Sequence, residues 1–466
     1  MSPLWTSDEI AAAVGGAANG AFAATGVAFD SREVEPGHLF VALKGEATDG
    51  HLFLDQAFAA GAAGALVSEE IAHPHVRVDD TRVALDALAR AARARTSARI
   101  CGVTGSAGKT GTKEALHSAL DRAAPGEAHR SVKSYNNHTG VPLSLARMPR
   151  ESRFGVFEMG MNHAGELAAL TRLVRPHVAI VTAVAPAHRQ FFATEEAIAD
   201  AKGEIFEGLE PGATALVPFD SPHRDRLAAA ARPYAASVLT FGLGDGADIR
   251  AREVVPGPMG GSMVTAVLPG AELTFTVSQA GEHWVSNALA VLGAVEALGG
   301  DLALAGLALA DMHGLKGRGE RRLIPVEGGE ALLIDESYNA NPASMAATLK
   351  TFGTLAVDGR RIAVLGAMRE LGDSSPGFHA ALAEPVEAAG VETAILVGEE
   401  MESLAKALGA KVKMAHVPDT AAAIELARRE ARPGDAILVK GSNSIGLSAL
   451  VEALAGGPSA PLAGKS

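Results

Sequence analysis

Short apolar runs, each closed by a glycine, proline or polar turn and followed by a stretch with apolar positions at helical spacing, recur along most of the chain. Runs of this kind mark buried strands, and the spacing between them marks helices. The pattern predicts strands at 100–104, 154–158, 178–183 and 213–218, a helix from about Thr110, one over 195–208 and another over 286–298. Strands joined by helices rather than tight hairpins build a parallel sheet with crossover connections. After a Gly-rich stretch over 299–319 the alternation restarts from Leu323, with strands at 331–335, 361–366, 393–397 and 436–440, the pattern of a dinucleotide-type fold. Upstream, 1–97 holds shorter elements: a capped helix opening at Ser7 or Asp8, strands at 38–43 and 64–68, and an Ala/Arg-rich helix over 83–95.

The prediction is therefore an α/β chain of three domains. A small N-terminal α/β domain (1–97) precedes a central domain with a P-loop-type, mostly parallel sheet (98–315), and a C-terminal domain resembling a dinucleotide fold (316–456) follows. The Gly/Pro/Ser/Ala-rich tail, 457–466, is expected to be disordered. Length agrees, since 466 residues exceed one ordinary core. With 48% hydrophobic but only 4% aromatic residues, packing by small and aliphatic side chains on a sheet fits better than an aromatic-rich sandwich.

Charge and cysteine narrow the function classes. The net charge of −13 is spread without acidic or basic blocks, which argues against electrostatic capture of nucleic acid or an anionic membrane. One cysteine, Cys101, excludes an intrachain disulfide framework, and no Cys/His spacing marks a structural zinc. No basic leader runs into an apolar core, and no stretch reaches the roughly 18 apolar residues of a membrane span. A cytoplasmic monomer without stable membrane insertion is expected.

The chemistry starts at Thr104-Gly105-Ser106-Ala107-Gly108-Lys109-Thr110-Gly111, where a strand passes through glycines into a helix that begins with Lys-Thr. Backbone N–H groups of such a turn and of the helix start converge on one spot and favour an anion. Lys109 would bring a cation to the outer phosphates of ATP, and the Thr110 hydroxyl would ligate Mg²⁺. The full Walker pattern has a glycine six residues before the lysine; Val103 stands there, so the match is to the shorter form Gly105-x-x-Gly108-Lys109-Thr110. Glu158 closes the predicted strand 154–158, at the sheet edge where ligands bind, and offers a hard oxygen suited to Mg²⁺.

Beyond the loop, Ser134-Tyr135-Asn136-Asn137-His138-Thr139-Gly140, Glu158-Met159-Gly160-Met161-Asn162, Ala185-Pro186-Ala187-His188, Ala201-Lys202-Gly203-Glu204, Gly281-Glu282-His283 and Asp335-Glu336-Ser337-Tyr338-Asn339-Ala340-Asn341-Pro342 resemble the Mur ligase family over nearly the whole chain. Within it, Glu-Met-Gly-Met-Asn and Ser-Tyr-Asn-Ala-Asn-Pro are similar to the MurF type, which adds D-alanyl-D-alanine to UDP-N-acetylmuramoyl-tripeptide through an acyl phosphate. The Asp-Asn-Pro-Arg motif of the MurE type is absent. A sibling ligase with another amine, such as a folylpolyglutamate synthase, and an inactive ATP-binding scaffold stand as alternatives.

The resemblance implies roles residue by residue. His188 would join Glu158 as side-chain ligands of a second magnesium ion, and Lys202 would carry a CO₂-derived carbamate that helps hold Mg²⁺ near the γ-phosphate. Arg318, in Gly317-Arg318-Gly319, would reach toward the phosphates. Asp335 would contact the nucleotide ribose with Tyr338 and Asn339 nearby, and Asn287 would approach adenine. Ser31, Arg32, Lys44, Asp49 and His51 would form the UDP-binding face, and Asn136, Asn137 and Thr139 would line the path of the muramoyl-peptide. Four positions depart from the family pattern: Ala183, Phe192, Trp284 and Ala367.

Overall fold

The protein is described by a computed structural model covering residues 3–45, 48–186, 190–257, 261–312, 314–410 and 412–456. The predicted disordered tail and His188 lie outside these residues. Three sheet systems follow one another along the chain. The first is five-stranded, in the order Ala17–Asn19, His75–Arg77, Gly64–Val67, His38–Val41, Gly26–Ala28, with a two-stranded ribbon of Trp5–Thr6 and Ala23–Ala24 beside it. The helix Ser7–Val14 starts on a capping box between Thr6 and Glu9, which satisfies two otherwise orphaned amides.

The second sheet has nine strands. Third from one edge is Arg99–Thr104, flanked in parallel by Phe154–Glu158 and Val178–Val181. These strands are apolar at nearly every position because both faces are covered. Cys101, Val103, Val156, Val178 and Ile180 pack into one core layer, while Ile100, Phe157, Ala179 and Val181 pack into another. At roughly 1.5–3 kcal/mol for each large aliphatic side chain removed from water, such a strand is held by burial rather than by propensity. The chain leaves Arg99–Thr104 toward one edge and returns to its other side at Val178–Val181, so a crevice opens at the C-terminal ends of these three strands.

The third sheet, of six strands, runs Glu320–Val326, Gly329–Glu336, Ala436–Lys440, Arg361–Gly366, Thr393–Val397, Lys413–Val417, and is parallel except at its first strand. Several elements escape the sequence reading. Ser237–Gly242, Ile249–Pro256, Ser262–Val267 and Glu272–Val277 extend the central sheet, the last two antiparallel. In Glu272–Val277 alternation is present, with Phe275 and Val277 buried between exposed threonines, but the charged and threonine positions dilute it. The Gly-rich stretch contains a helix, Leu302–Ala310, capped by Asp301 and packed on Lys109–Ala123. The helix predicted over 195–208 ends at Gly203 and continues as a 3₁₀ turn.

Candidate active site

The loop between Thr104 and Lys109 is held in shape by close contacts at its two glycines and by bonds to the neighbouring strand's loop. Gly105 has φ +151°, and a Cβ there would lie 1.9 Å from the Thr182 hydroxyl. That hydroxyl sits 3.1 Å from Thr104 O and 2.5 Å from Ala107 O, so it ties both ends of the turn together. Gly108, at φ +82°, starts the helix Lys109–Ala123 with its Cα against the Asn287 amide, 2.9 Å from where a side chain would begin. Ser106 is fastened to the next strand's loop: its N–H donates to Ala183 O at 2.8 Å, and its hydroxyl bridges Ala185 O and N. At 183 only the backbone is used, so the departure to alanine costs nothing at this contact.

Lys109 curls over the loop and donates to Gly105 O at 2.6 Å. Burial lowers its pKa, the Glu158 carboxylate opposes the shift and the Arg318 charge adds to it. Glu158, 1% exposed, accepts from the Thr110 hydroxyl at 2.8 Å and from Asn136 Nδ2 at 2.7 Å. Register places Glu158 beside Val103, immediately before the loop. Lys202 is 2% exposed and has no carboxylate partner among the described residues. Burial and the neighbouring Lys109 charge push its pKa well below the ordinary lysine value.

These groups share one groove of about 470 Å³, lined by Ser106, Ala107, Gly108, Lys109, Thr110, Asn136, Glu158 and Lys202 from the central sheet and by Arg318, Tyr338 and Asn339 from the third. Arg369 and the 442–444 turn complete its far wall, and neither was singled out from sequence. Arg318 stacks on Tyr338, 4.1 Å from the ring centroid, and donates to Ser134 Oγ at 3.3 Å. Asp335 lines neither this groove nor its neighbour. Its oxygens accept Gly317 N–H at 2.8 Å and Ser337 N–H at 3.0 Å, so it fixes the turn that carries Arg318. Asn339 is held by Lys440, which donates to its carbonyl at 3.0 Å.

A second groove, of about 320 Å³, opens on the other side of the phosphate loop. Gly111 and Asn287 line it with Trp284, Ala343 and Ala347. Trp284 lies across Gly111, where a Cβ would approach the indole to 2.8 Å. Of the other departures, Phe192 and Ala367 are buried core residues. Asn341 joins the two sheets: its Nδ2 donates to Ser106 O at 3.2 Å while its Oδ1 caps the helix Pro342–Gly353 through Ser344 N–H. Asn341, Thr182 and Lys440 were missed. Asn341 carried a signal, an N-cap signature of Asn, Pro and Ser; Thr182 follows an apolar strand end, and nothing in its neighbours marks it.

The N-terminal candidates lie apart from both grooves. Ser31 donates to Gln56 at 2.9 Å, Arg32 is tethered to Asp30 at 2.6 Å with its side chain mostly exposed, and Lys44 is exposed. His51 is consumed locally: one ring nitrogen is 2.6 Å from Asp49, the other accepts Ser68 N–H at 3.0 Å. Asn137 caps the helix Gly140–Ala146 by accepting from Thr139 and Gly140 amides, and so shapes the segment rather than pointing into either groove. Glu33, unremarked in sequence, ties this domain to the central one through Lys133 and through the Tyr135 hydroxyl at 2.7 Å.

Three family models cover the chain in order: the Mur ligase family catalytic domain over 23–96, the Mur ligase middle domain over 103–295, and the Mur ligase glutamate ligase domain over 321–443. A UDP-N-acetylmuramoyl-tripeptide--D-alanyl-D-alanine ligase of Bacillus subtilis (strain 168) is 34% identical over 446 residues, covering 93% of each chain. The chain belongs to the Mur ligase family. Among solved Mur ligases, MurF from Acinetobacter baumannii superimposes with a TM-score of 0.83 at 30% identity, covering 97% of this chain and 99% of that one. MurF from Thermotoga maritima in complex with ADP gives 0.76 at 27%, covering 92% and 97%. Family membership accounts for the three-domain α/β architecture with its mostly parallel central sheet. Among the described residues no helix is long and apolar enough to cross a membrane.

Proposed function

We propose that this chain is a cytoplasmic, ATP-dependent ligase that joins D-alanyl-D-alanine to UDP-N-acetylmuramoyl-tripeptide in peptidoglycan precursor synthesis. The observation that carries the reading is the convergence on one groove of a phosphate loop, a buried carboxylate paired with the loop's threonine, and a buried lysine that has no carboxylate partner among the described residues. Relatives with this architecture carry that enzyme's name, and Tyr338 to Asn341, from the Asp335–Pro342 motif, line the same groove.

The γ-phosphoryl group passes from ATP to the terminal carboxylate of the peptide, and the amine of D-alanyl-D-alanine then attacks the acyl carbon and expels phosphate. Because negative charge gathers during transfer, fixed cations supply most of the protein's contribution. Lys109 and Arg318 provide it from opposite walls. Amides of 107–111 cradle the phosphates, with Gly105 and Ser106 shaping the turn, Asn287 and Trp284 border the base, and Arg318, with Tyr338 and Asn339, closes the nucleotide side while Asp335 holds the Arg318 turn. Ser31, Arg32, Lys44 and Asp49 take the UDP end with His51 bracing the turn, and Asn136, Asn137 and Thr139 border the peptide.

The residues present fit Mg²⁺. Glu158 and Thr110 are hard oxygen donors 2.8 Å apart at the groove wall. With His188 they would hold the ion, which supplies charge neutralisation for the phosphates. Lys202 fits a carbamate: burial and the Lys109 charge lower its pKa and so favour the free amine, which would take up CO₂ by forming an N–C bond as one C=O π bond opens and a proton is lost. The product turns a Lys109–Lys202 repulsion into an attraction. ¹³CO₂ labelling should therefore give a carbamate carbon signal that vanishes in Lys202→Ala.

The decisive assay is ADP release with UDP-N-acetylmuramoyl-tripeptide, with and without D-alanyl-D-alanine. Product should require both, and Lys109→Ala should abolish phosphoryl transfer while leaving the fold intact. Turnover with another amine alone would assign a sibling activity, and ATP binding without ADP release would make the chain a scaffold.

A further inference from the structure

Lys113 lies one helical turn beyond Lys109 on the helix Lys109–Ala123, where a lysine ordinarily faces water. Here it is fully buried. An ammonium has three N–H donors and must satisfy all of them when it leaves water. The partners are Ser131 O at 3.0 Å, Lys133 O at 2.7 Å and Glu114 Oε1 at 2.8 Å, and Glu158 Oε2 stands 4.0 Å away. Two of the three are carbonyls of one short turn, and Lys133, which supplies the second of them, sits at φ +52°, a left-handed conformation that a side-chain-bearing residue rarely adopts. The Lys133 carbonyl bond is what opposes that strain.

The residues that follow this turn touch segments from all three parts of the chain. Ser134 Oγ accepts from Arg318, in the turn before Glu320–Val326, at 3.3 Å. Tyr135 donates to Glu33, in the 3₁₀ turn Ser31–Glu33, at 2.7 Å and packs its ring 5.5 Å from Phe29. Asn136 Nδ2 donates to Glu158 on the central sheet at 2.7 Å, and its carbonyl accepts Gly160 N–H at 2.7 Å. One buried charge therefore sets the position of a segment that contacts the metal-binding carboxylate, the phosphate-directed arginine and the N-terminal domain together.

We propose that Lys113 is a positioning residue for the acid substrate: its ammonium clamps the 131–133 turn so that 134–136 is presented to the UDP-linked substrate, and it acts on the reaction only through that segment. The kinetic arm rests on the substrate reading given above; the exchange arm does not.

The test compares wild type with Lys113→Met, which keeps length and loses charge, and Lys113→Arg, which keeps charge but cannot seat its planar fork between two carbonyls. Amide hydrogen exchange of the ligand-free protein should rise at least tenfold across 131–136 in the Met variant and less in the Arg variant, with the helix 109–123 protected. KM for UDP-N-acetylmuramoyl-tripeptide should rise about tenfold or more, clearly more than any loss of ATP affinity. Unchanged exchange at 131–136, or parallel losses of ATP and acid-substrate affinity, would overturn the proposal. Should the Met variant not fold, the Arg variant decides by the same two readouts. If wild type fails to turn over the UDP-linked substrate, the reaction assignment falls and exchange alone still judges Lys113.

Discussion

Asn341 does two separable jobs, and two substitutions pull them apart. Its Oδ1 accepts Ser344 N–H at 2.8 Å to cap the helix Pro342–Gly353, and its Nδ2 donates to the buried Ser106 carbonyl at 3.2 Å, the link between the third sheet and the phosphate loop. Asn341→Asp keeps the cap, since aspartate caps about as well as asparagine, but removes the donor. Asn341→Ala removes both. Loss of an N-cap costs about 1 kcal/mol, and a neutral hydrogen bond nets about 1 kcal/mol, more when the abandoned carbonyl stays buried. In the aspartate variant that carbonyl also faces a carboxylate oxygen, beside the place the phosphates occupy. At 1.4 kcal/mol per tenfold, nucleotide affinity should fall roughly five- to twentyfold. Isothermal titration with the non-hydrolysable triphosphate measures this, and thermal unfolding reads the cap. The aspartate variant should bind weakly at near wild-type Tm, and the alanine variant should bind weakly at lower Tm. Wild-type affinity in Asn341→Asp would refute the claim that this bond holds the loop in shape.

Three further outcomes follow from the same geometry. Gly108→Ala combines a left-handed φ of +82°, worth about 1–2 kcal/mol of strain in an alanine, with a Cβ 2.9 Å from the Asn287 amide; nucleotide affinity should drop at least tenfold by titration, and tolerance of alanine would mean the turn is not held as described. Glu33→Gln weakens the tie to Lys133 and Tyr135, an exposed pairing worth about 1 kcal/mol, so steady-state kinetics should show a two- to fivefold higher KM for the UDP-linked substrate with the ATP KM unmoved; equal rises in both would count against it. His129 and His177 are both depressed from 6.5 to about 4, chiefly by burial and then by neighbouring positive groups. The unfolded chain then binds more protons than the folded one below pH 6.5, so their contribution is fully present above 6.5 and is lost as pH falls toward 4. Tm measured across that window should decline; a flat Tm from pH 7 to 5 would show that neither ring is held neutral.

Local rules made the phosphate loop legible: a strand that is apolar on both faces, glycines where φ turns positive, and Lys-Thr opening a helix are all written within a dozen residues. The strand ends that carry Glu158 and Asp335 were legible for the same reason, because burial on both faces imposes an unbroken apolar run whose polar last residue stands out. Resemblance rather than periodicity pointed to Lys202, whose burial reverses the reading that helical spacing alone would give. Tertiary packing decided the rest. Thr182 earns its place only because its strand lies beside Arg99–Thr104, and Asn341 only because a helix cap from the third sheet arrives at Ser106. Asp335, whose type and position promise a ligand contact, is diverted to the Gly317 and Ser337 amides, and Lys113, whose spacing promises solvent, is sealed under a turn. In each case a partner is a backbone group from another segment of the chain. No side-chain pattern encodes where such a group will be, since every residue but proline carries the same amide and carbonyl.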